Sequence, residues 1–257
     1  LIFVRSIAFN VLFYLNTVFW LLVGLPTFFM PYWAIVEIAK TWGRVNLFLL
    51  RWVAGIDIEI RGAEKIPKGG LIVAAKHQSA WETFAILPLF DIPLFIVKRE
   101  LMWIPIFGWL MAKGRMVPVD RSAGSSALTD MAERARVEIG RGRQLIIFPE
   151  GTRRPAGAEP RYKHGVAHLY AAEGVPCVPI ALNSGLFWPR RSILRHPGTV
   201  LVEVLDPIPP GLDKEVFFER LKDGIETATA RLIAESQAKG EGVTVVPPVA
   251  AKAGTQN

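Results

Sequence analysis

From Ser6 to Val36 no charged residue interrupts the chain. Within that stretch Ile7–Leu25 supplies about the 20 apolar residues that a bilayer span needs. Pro26 and Pro31 bracket Thr27–Met30 as a turn, since proline cannot continue the helix. A second helical pattern follows from Tyr32 to Val53. There Glu37, Lys40, Thr41, Arg44 and Arg51 recur at spacings that share one face, and Trp33, Ile38, Trp42, Leu49 and Trp52 take the rest. A cationic stripe on a Trp-rich apolar helix predicts a segment lying in a membrane interface, so residues 1–54 are expected to form a membrane-anchoring helical hairpin. A core helix with one wet face is the competing reading. A signal peptide fits poorly, because the apolar run is too long and no small-residue cleavage motif follows it.

Beyond Ile56 the pattern changes to short aliphatic runs that alternate with helical spacing. Strands are expected at Ile56–Arg61, Leu71–Ala75, Leu94–Val97, Met116–Val119, Gln144–Phe148, Cys177–Leu182 and Val200–Leu205. Helices are expected at Ala80–Leu89, Ile106–Met111, Ser126–Ile139, Val166–Ala172 and Lys214–Ser236. This alternation predicts one α/β domain over 55–240, with a largely parallel or mixed sheet covered by helices. Residues 241–257 lack a core-forming pattern and are expected to be disordered.

Composition narrows the classes. The 257 residues are 51% hydrophobic and 21% charged, which provides ample material for a core and excludes a disordered chain. Cys177 is the only cysteine, which excludes a disulfide scaffold. The net charge is +7, and Gly140–His196 holds nine basic residues against three acidic ones, pointing to an anionic ligand or lipid surface.

Two segments carry candidate chemistry. After the apolar run Leu71–Ala75 comes Lys76-His77-Gln78-Ser79-Ala80-Trp81-Glu82. If His77 stays in a loop while Glu82 opens a helix, the carboxylate can orient the imidazole and leave its other nitrogen to accept a proton. Ser79-Ala80-Trp81-Glu82 equally matches a capping box, which would make Glu82 a helix cap. The second segment, Pro149-Glu150-Gly151-Thr152-Arg153-Arg154, follows another apolar run. Glycine permits close approach of a ligand, threonine offers a hydroxyl and arginine a fork for phosphate. Glu150 could orient an arginine or accept from a substrate hydroxyl. No G-x-S-x-G occurs, and Cys177 sits inside an apolar run, so no covalent nucleophile is indicated.

Taken together, these segments resemble the bacterial 1-acyl-glycerol-3-phosphate acyltransferases, of the glycerolipid acyltransferase family with the His-x4-Asp motif. Four blocks occur in the family's order: His77 to Glu82, Gly114 to Arg121 (GRMVPVDR), Phe148 to Arg153 (FPEGTR) and Val175 to Ile180 (VPCVPI). The run Lys98 to Gly108 also resembles the family's connecting segment. Two departures stand out: Glu82 replaces the usual aspartate, and Pro118 in the second block predicts an edge or irregular strand.

The resemblance implies a glycerol-3-phosphate acyltransferase-like fold and transfer of an acyl chain from acyl-CoA or acyl-carrier protein to the sn-2 hydroxyl of lysophosphatidic acid. It implies His77 as general base, oriented by Glu82. Arg153 would bind phosphate, Glu150, Gly151 and Thr152 would shape that pocket, and Arg121 and Lys98 would add cations. No metal or cofactor is expected, and the other histidines are read as structural. The resemblance also implies a hairpin embedded in one leaflet, at the cytoplasmic face of an inner membrane; the sequence alone equally allows a single span. Other lysolipid acceptors, a thioesterase and a silent lipid-binding protein remain alternatives.

Overall fold

A computed structural model describes residues 1–120 and 124–245, with only the backbone for 124–127. The uncharged start forms helix α1 (Ile2–Gly24), and Pro26 lies in the 3-10 turn Leu25–Phe29 that ends it. Helix α2 (Trp33–Leu49) continues into one wide turn, Leu50–Ala54, and stops at Gly55, whose φ of +74° suits glycine. The two helices pair through polar contacts in an otherwise apolar seam. Trp42 Nε1 donates to Thr17 Oγ1 at 3.2 Å, and Asn16 Nδ2 to Asn46 Oδ1 at 3.1 Å.

Among the described residues seven strands follow: β1 (Ile56–Arg61), β2 (Leu71–Ala75), β3 (Pro93–Lys98), β4 (Val117–Val119), β5 (Gln144–Ile147), β6 (Cys177–Leu182) and β7 (Gly198–Val204). They form one mixed sheet in the order β1-β7-β6-β2-β5-β3-β4. Every pairing is parallel except β6 with β7. The five strands from β6 to β4 therefore point the same way, and the chain leaves all five at one edge of the sheet. In open α/β sheets that carboxyl edge is where ligand sites form.

The helices are α3 (Glu82–Ala85), α4 (Phe107–Lys113), α5 (Gly124–Ile139), α6 (Gly165–Glu173) and α7 (Lys214–Ala238). Most expected elements match within two or three residues. The exception is Ala80–Leu89. It forms only α3 and a 3-10 turn at Leu87–Leu89, because Pro88 removes the donor a longer helix would need. Pro118 sits where its missing donor is harmless, on the three-residue edge strand β4, which pairs with β3.

All five residues of β2 are buried, as expected for a strand covered on both faces. Leu71, Val73 and Ala75 join Phe9, Leu50, Ala54 and Phe84 in one core. Ile72 and Ala74 join Met131, Leu169 and Phe217 of α5, α6 and α7 in the other. The hairpin thus supplies part of the cover of one sheet face. Lys40, expected on an open cationic stripe, is 8% exposed; it donates to the Asp91 carbonyl and pairs with Glu37. Arg51 pairs with Asp57 at 3.4 Å.

Helix α1 lies along the domain and touches it near both ends. Ser6 Oγ accepts from the Arg195 N–H at 2.8 Å and Asn10 Nδ2 donates to Ile193 O at 2.8 Å, while Gly24 packs closely on the Leu110 side chain. Its outer face exposes Val11, Leu15, Val18, Phe19 and Leu22. Of the segment 241–257, expected to be disordered, Glu241 accepts from the Thr199 N–H and the Val243 N–H donates to Leu186 O. Residues 246–257 lie outside the described residues.

Arg143 fastens several of these layers. It is fully buried, pairs with Glu138 at 2.7 Å, donates to the Gly114 carbonyl at 3.0 Å and lies 5.0 Å from the Tyr32 ring. Burial lowers its pKa, and Glu138 opposes that shift. Arg143→Met removes this partner and leaves Glu138 to Arg141 and Arg115, and is expected to cost about 1–3 kcal/mol, read from the denaturant midpoint.

Candidate active site

Strand β2 hands the chain to Lys76 and His77 at the carboxyl edge of the sheet. His77 Nδ1 lies 3.1 Å from Glu82 Oε2. Five residues along a straight helix would turn the two side chains apart. The bend before α3 brings them together. Glu82 is fully buried and also accepts from the Ser79 N–H at 3.0 Å and from the Ser184 hydroxyl. One carboxylate thus holds both the Ser79 backbone and the histidine. Ser79 does not complete a capping box, because its hydroxyl accepts from the Trp81 N–H at 3.1 Å. In the tautomer whose Nδ1 donates to the Glu82 carboxylate, Nε2 carries the lone pair. The ring stacks on Phe148, with centroids 3.9 Å apart.

Strand β5 hands over the second segment beside the first. Glu150 is 2% exposed and faces inward, with Oε1 2.9 Å from Lys76 Nζ and Oε2 accepting from the His77 N–H at 3.0 Å. It neither orients an arginine nor faces the solvent to meet a substrate hydroxyl, because β2 and β5 are neighbours and bring Lys76 against it. Burial raises its pKa, and Lys76 works against that shift. Gly151 has φ +65° and passes under Lys163, where a Cβ would meet Lys163 Cε at 3.1 Å. Thr152 and Arg153 are exposed, and the Arg153 carbonyl accepts from Arg190 Nη1 at 2.9 Å.

The structure therefore joins His77, Glu82 and Glu150 directly and holds Gly151, Thr152 and Arg153 on the adjoining turn. Lys98 is at the end of β3, paired with Glu100 at 2.9 Å, and lines a cavity that also reaches His77. Arg121 lies outside the described residues. The cavity holds about 370 Å³, within the usual range for a ligand site. Its walls are largely apolar and include Thr17, Trp20, Phe95, Met111 and Phe148. Cys177 is fully buried and burial pushes its thiol pKa up, which suits a structural residue.

A family model described as Acyltransferase matches residues 57–183. The 1-acyl-sn-glycerol-3-phosphate acyltransferase of Pseudomonas aeruginosa is 35% identical over 206 residues, covering 78% of this chain and 79% of that protein. The chain belongs to the 1-acyl-sn-glycerol-3-phosphate acyltransferase family. The corresponding enzyme of Cocos nucifera is 32% identical, over 75% of this chain and 63% of that one. The solved structure of PlsC, the 1-acyl-sn-glycerophosphate (LPA) acyltransferase of Thermotoga maritima, superposes with a TM-score of 0.72. It is 25% identical and covers 89% of this chain and 98% of that one.

In this acyltransferase the sequence reading missed three polar residues near the site. Ser184 holds Glu82 from the turn after β6. Lys76 holds Glu150, and Lys163 covers Gly151. The available signal was position, since each stands at or just beyond a strand or turn already marked as carrying chemistry. The sequence also gave no sign that Thr17 and Trp20, sixty residues upstream, would wall the same cavity as His77.

Proposed function

We propose that this acyltransferase moves an acyl chain from a thioester donor, acyl-CoA or acyl-carrier protein, to the sn-2 hydroxyl of 1-acyl-glycerol-3-phosphate, with His77 as general base. The observation that carries this reading is the His77–Glu82 pair, 3.1 Å apart, at the wall of an apolar cavity. His77 Nε2 takes the hydroxyl proton as that oxygen attacks the thioester carbonyl. The C–O bond forms, the C–S bond breaks, and the imidazolium returns the proton to the leaving thiolate. Glu82 fixes the tautomer and offsets the charge that develops on the ring. The cavity suits an acyl chain because its lining is apolar, and the exposed Arg153 of the 150–154 turn suits a phosphate.

A product assay with purified protein, labelled acyl-CoA and a panel of lysolipid acceptors tests the reaction. Phosphatidic acid is the expected product; free fatty acid alone would identify a thioesterase instead. Within that assay, Arg153→Lys is expected to raise KM for the phosphorylated acceptor about tenfold, because lysine keeps the charge but loses the fork. An equal rise for the acyl donor would remove Arg153 from the phosphate pocket.

The same reading places the protein on a membrane leaflet, at the cytoplasmic face of the inner membrane, where its lipid acceptor resides. By length α1 could span a bilayer, at about 34 Å for its 23 residues. Its contacts with one domain near both ends favour a helix lying along a single leaflet, with the outer apolar face in lipid. Leu15 and Leu22 are 62% and 53% exposed on that face. Leu15→Glu with Leu22→Glu is expected to lower partitioning onto phospholipid vesicles more than about tenfold in co-sedimentation. Unchanged sedimentation would move the anchor elsewhere.

A further inference from the structure

Behind the proposed base runs a chain of charges, buried at Lys76 and Glu150 and partly exposed at Glu226, that the reaction does not use directly. Lys76 is 3% exposed, yet its ammonium meets two carboxylates, Glu150 Oε1 at 2.9 Å and Glu226 Oε1 at 2.5 Å. Glu226 comes from α7, and the Tyr162 hydroxyl donates to the same oxygen at 2.9 Å. The Tyr162 ring stands 5.7 Å from the Lys76 ammonium. The far oxygen of Glu150 accepts from the His77 N–H, and the His77 carbonyl accepts from the Arg154 N–H at 2.8 Å. Both backbone groups of His77 are therefore held by the 150–154 turn.

We propose that Lys76 is a positioning residue for His77: it neutralises and aims Glu150, which fixes the His77 backbone, and Glu226 with Tyr162 anchors it to α7. The buried Glu150 and the partly exposed Glu226 would repel without a cation between them, and Glu150 would swing away or take up a proton. The His77 backbone would then lose one of its two restraints. The imidazole would still touch Glu82, but its Nε2 would be displaced from the reacting hydroxyl. A misplacement of about 1 Å at a reacting group can cost on the order of 10²-fold in rate. Lys76 is too enclosed to bind substrate, so its loss should act on turnover and leave affinity alone.

This inference rests on His77 being the base, so His77→Ala is assayed alongside and must be inactive for the comparison to bear on Lys76. The expected result for Lys76→Met is a fall in kcat of about 10²-fold, with both KM values within about twofold. Lys76→Met with Glu150→Gln removes both charges while the glutamine amide oxygen still accepts from the His77 N–H. That pair should recover at least about tenfold of the lost kcat, a coupling that general loosening of the fold would not produce. If Lys76→Met does not fold, Glu226→Gln decides. It keeps an acceptor for Tyr162 and should lower kcat several-fold at unchanged KM. Wild-type kcat in the deciding variant overturns the proposal, as does a Lys76→Met loss that the double variant fails to recover. An active His77→Ala enzyme would instead overturn the general-base reading itself.

Discussion

Replacing His77 with alanine is expected to lower kcat by about 10²–10⁴-fold, the usual contribution of a positioned general base. The fold should survive. The side chain is 13% exposed and its main packing partner is the Phe148 ring. Its backbone N–H and carbonyl, which hold the loop to the 150–154 turn, remain in the variant. Acceptor affinity should also survive, because the phosphate is assigned to Arg153 and its neighbours. The check is steady-state kinetics together with thermal melting and acceptor binding. A variant that keeps more than half of wild-type kcat would remove His77 from the mechanism.

Glu82→Gln separates two functions that the structure places on one carboxylate. Glutamine retains an oxygen that can accept from the Ser79 N–H or the Ser184 hydroxyl. It also brings an amide N–H that can donate to His77 Nδ1. That would move the ring proton to Nε2, where the reacting lone pair is needed. Stabilisation of the imidazolium is lost as well. The expected loss in kcat is again about 10²–10⁴-fold, with a small change in melting temperature. Glu82→Asp keeps the charge but shortens the side chain by one methylene, and its activity reports how far the Ser79 loop can follow. Wild-type turnover in Glu82→Gln would leave His77 acting without this partner.

Much of the fold was legible because the local signals agree. The fully buried strands β2, β5 and β6 read as short apolar runs, and their bounds fall close to those expected. Pro26 and Gly55 end their helices for reasons stated in single residues. Pro118 announced an edge strand. The segment Ala80–Leu89 departs from its pattern: its apolar residues suit a helix, while Pro88 and the turn that presents Glu82 to His77 break it. Lys40 departs from its expected exposure because periodicity assigns a face but does not reveal that the Asp91 carbonyl lies across from it.

The sequence by itself determined the ingredients: a charge-free entry, an α/β alternation, a histidine with a carboxylate five residues on, and a cationic turn after an apolar strand. Those depend on residue type and near neighbours, which is what a pattern can carry. Only the tertiary structure decided which groups meet. Parallel pairing of β6, β2 and β5 brings the residues after each strand to one edge, so Ser184, His77 with Glu82, and Glu150 converge across separations of up to about a hundred residues. The same pairing turned Glu150 inward onto Lys76, a partner that its place in the sequence does not name. It also set the hairpin against the sheet, so that Thr17 and Trp20 wall the cavity at His77. Strand register is fixed by burial of whole faces of the sheet, and that is a property of the assembled core which no single segment contains.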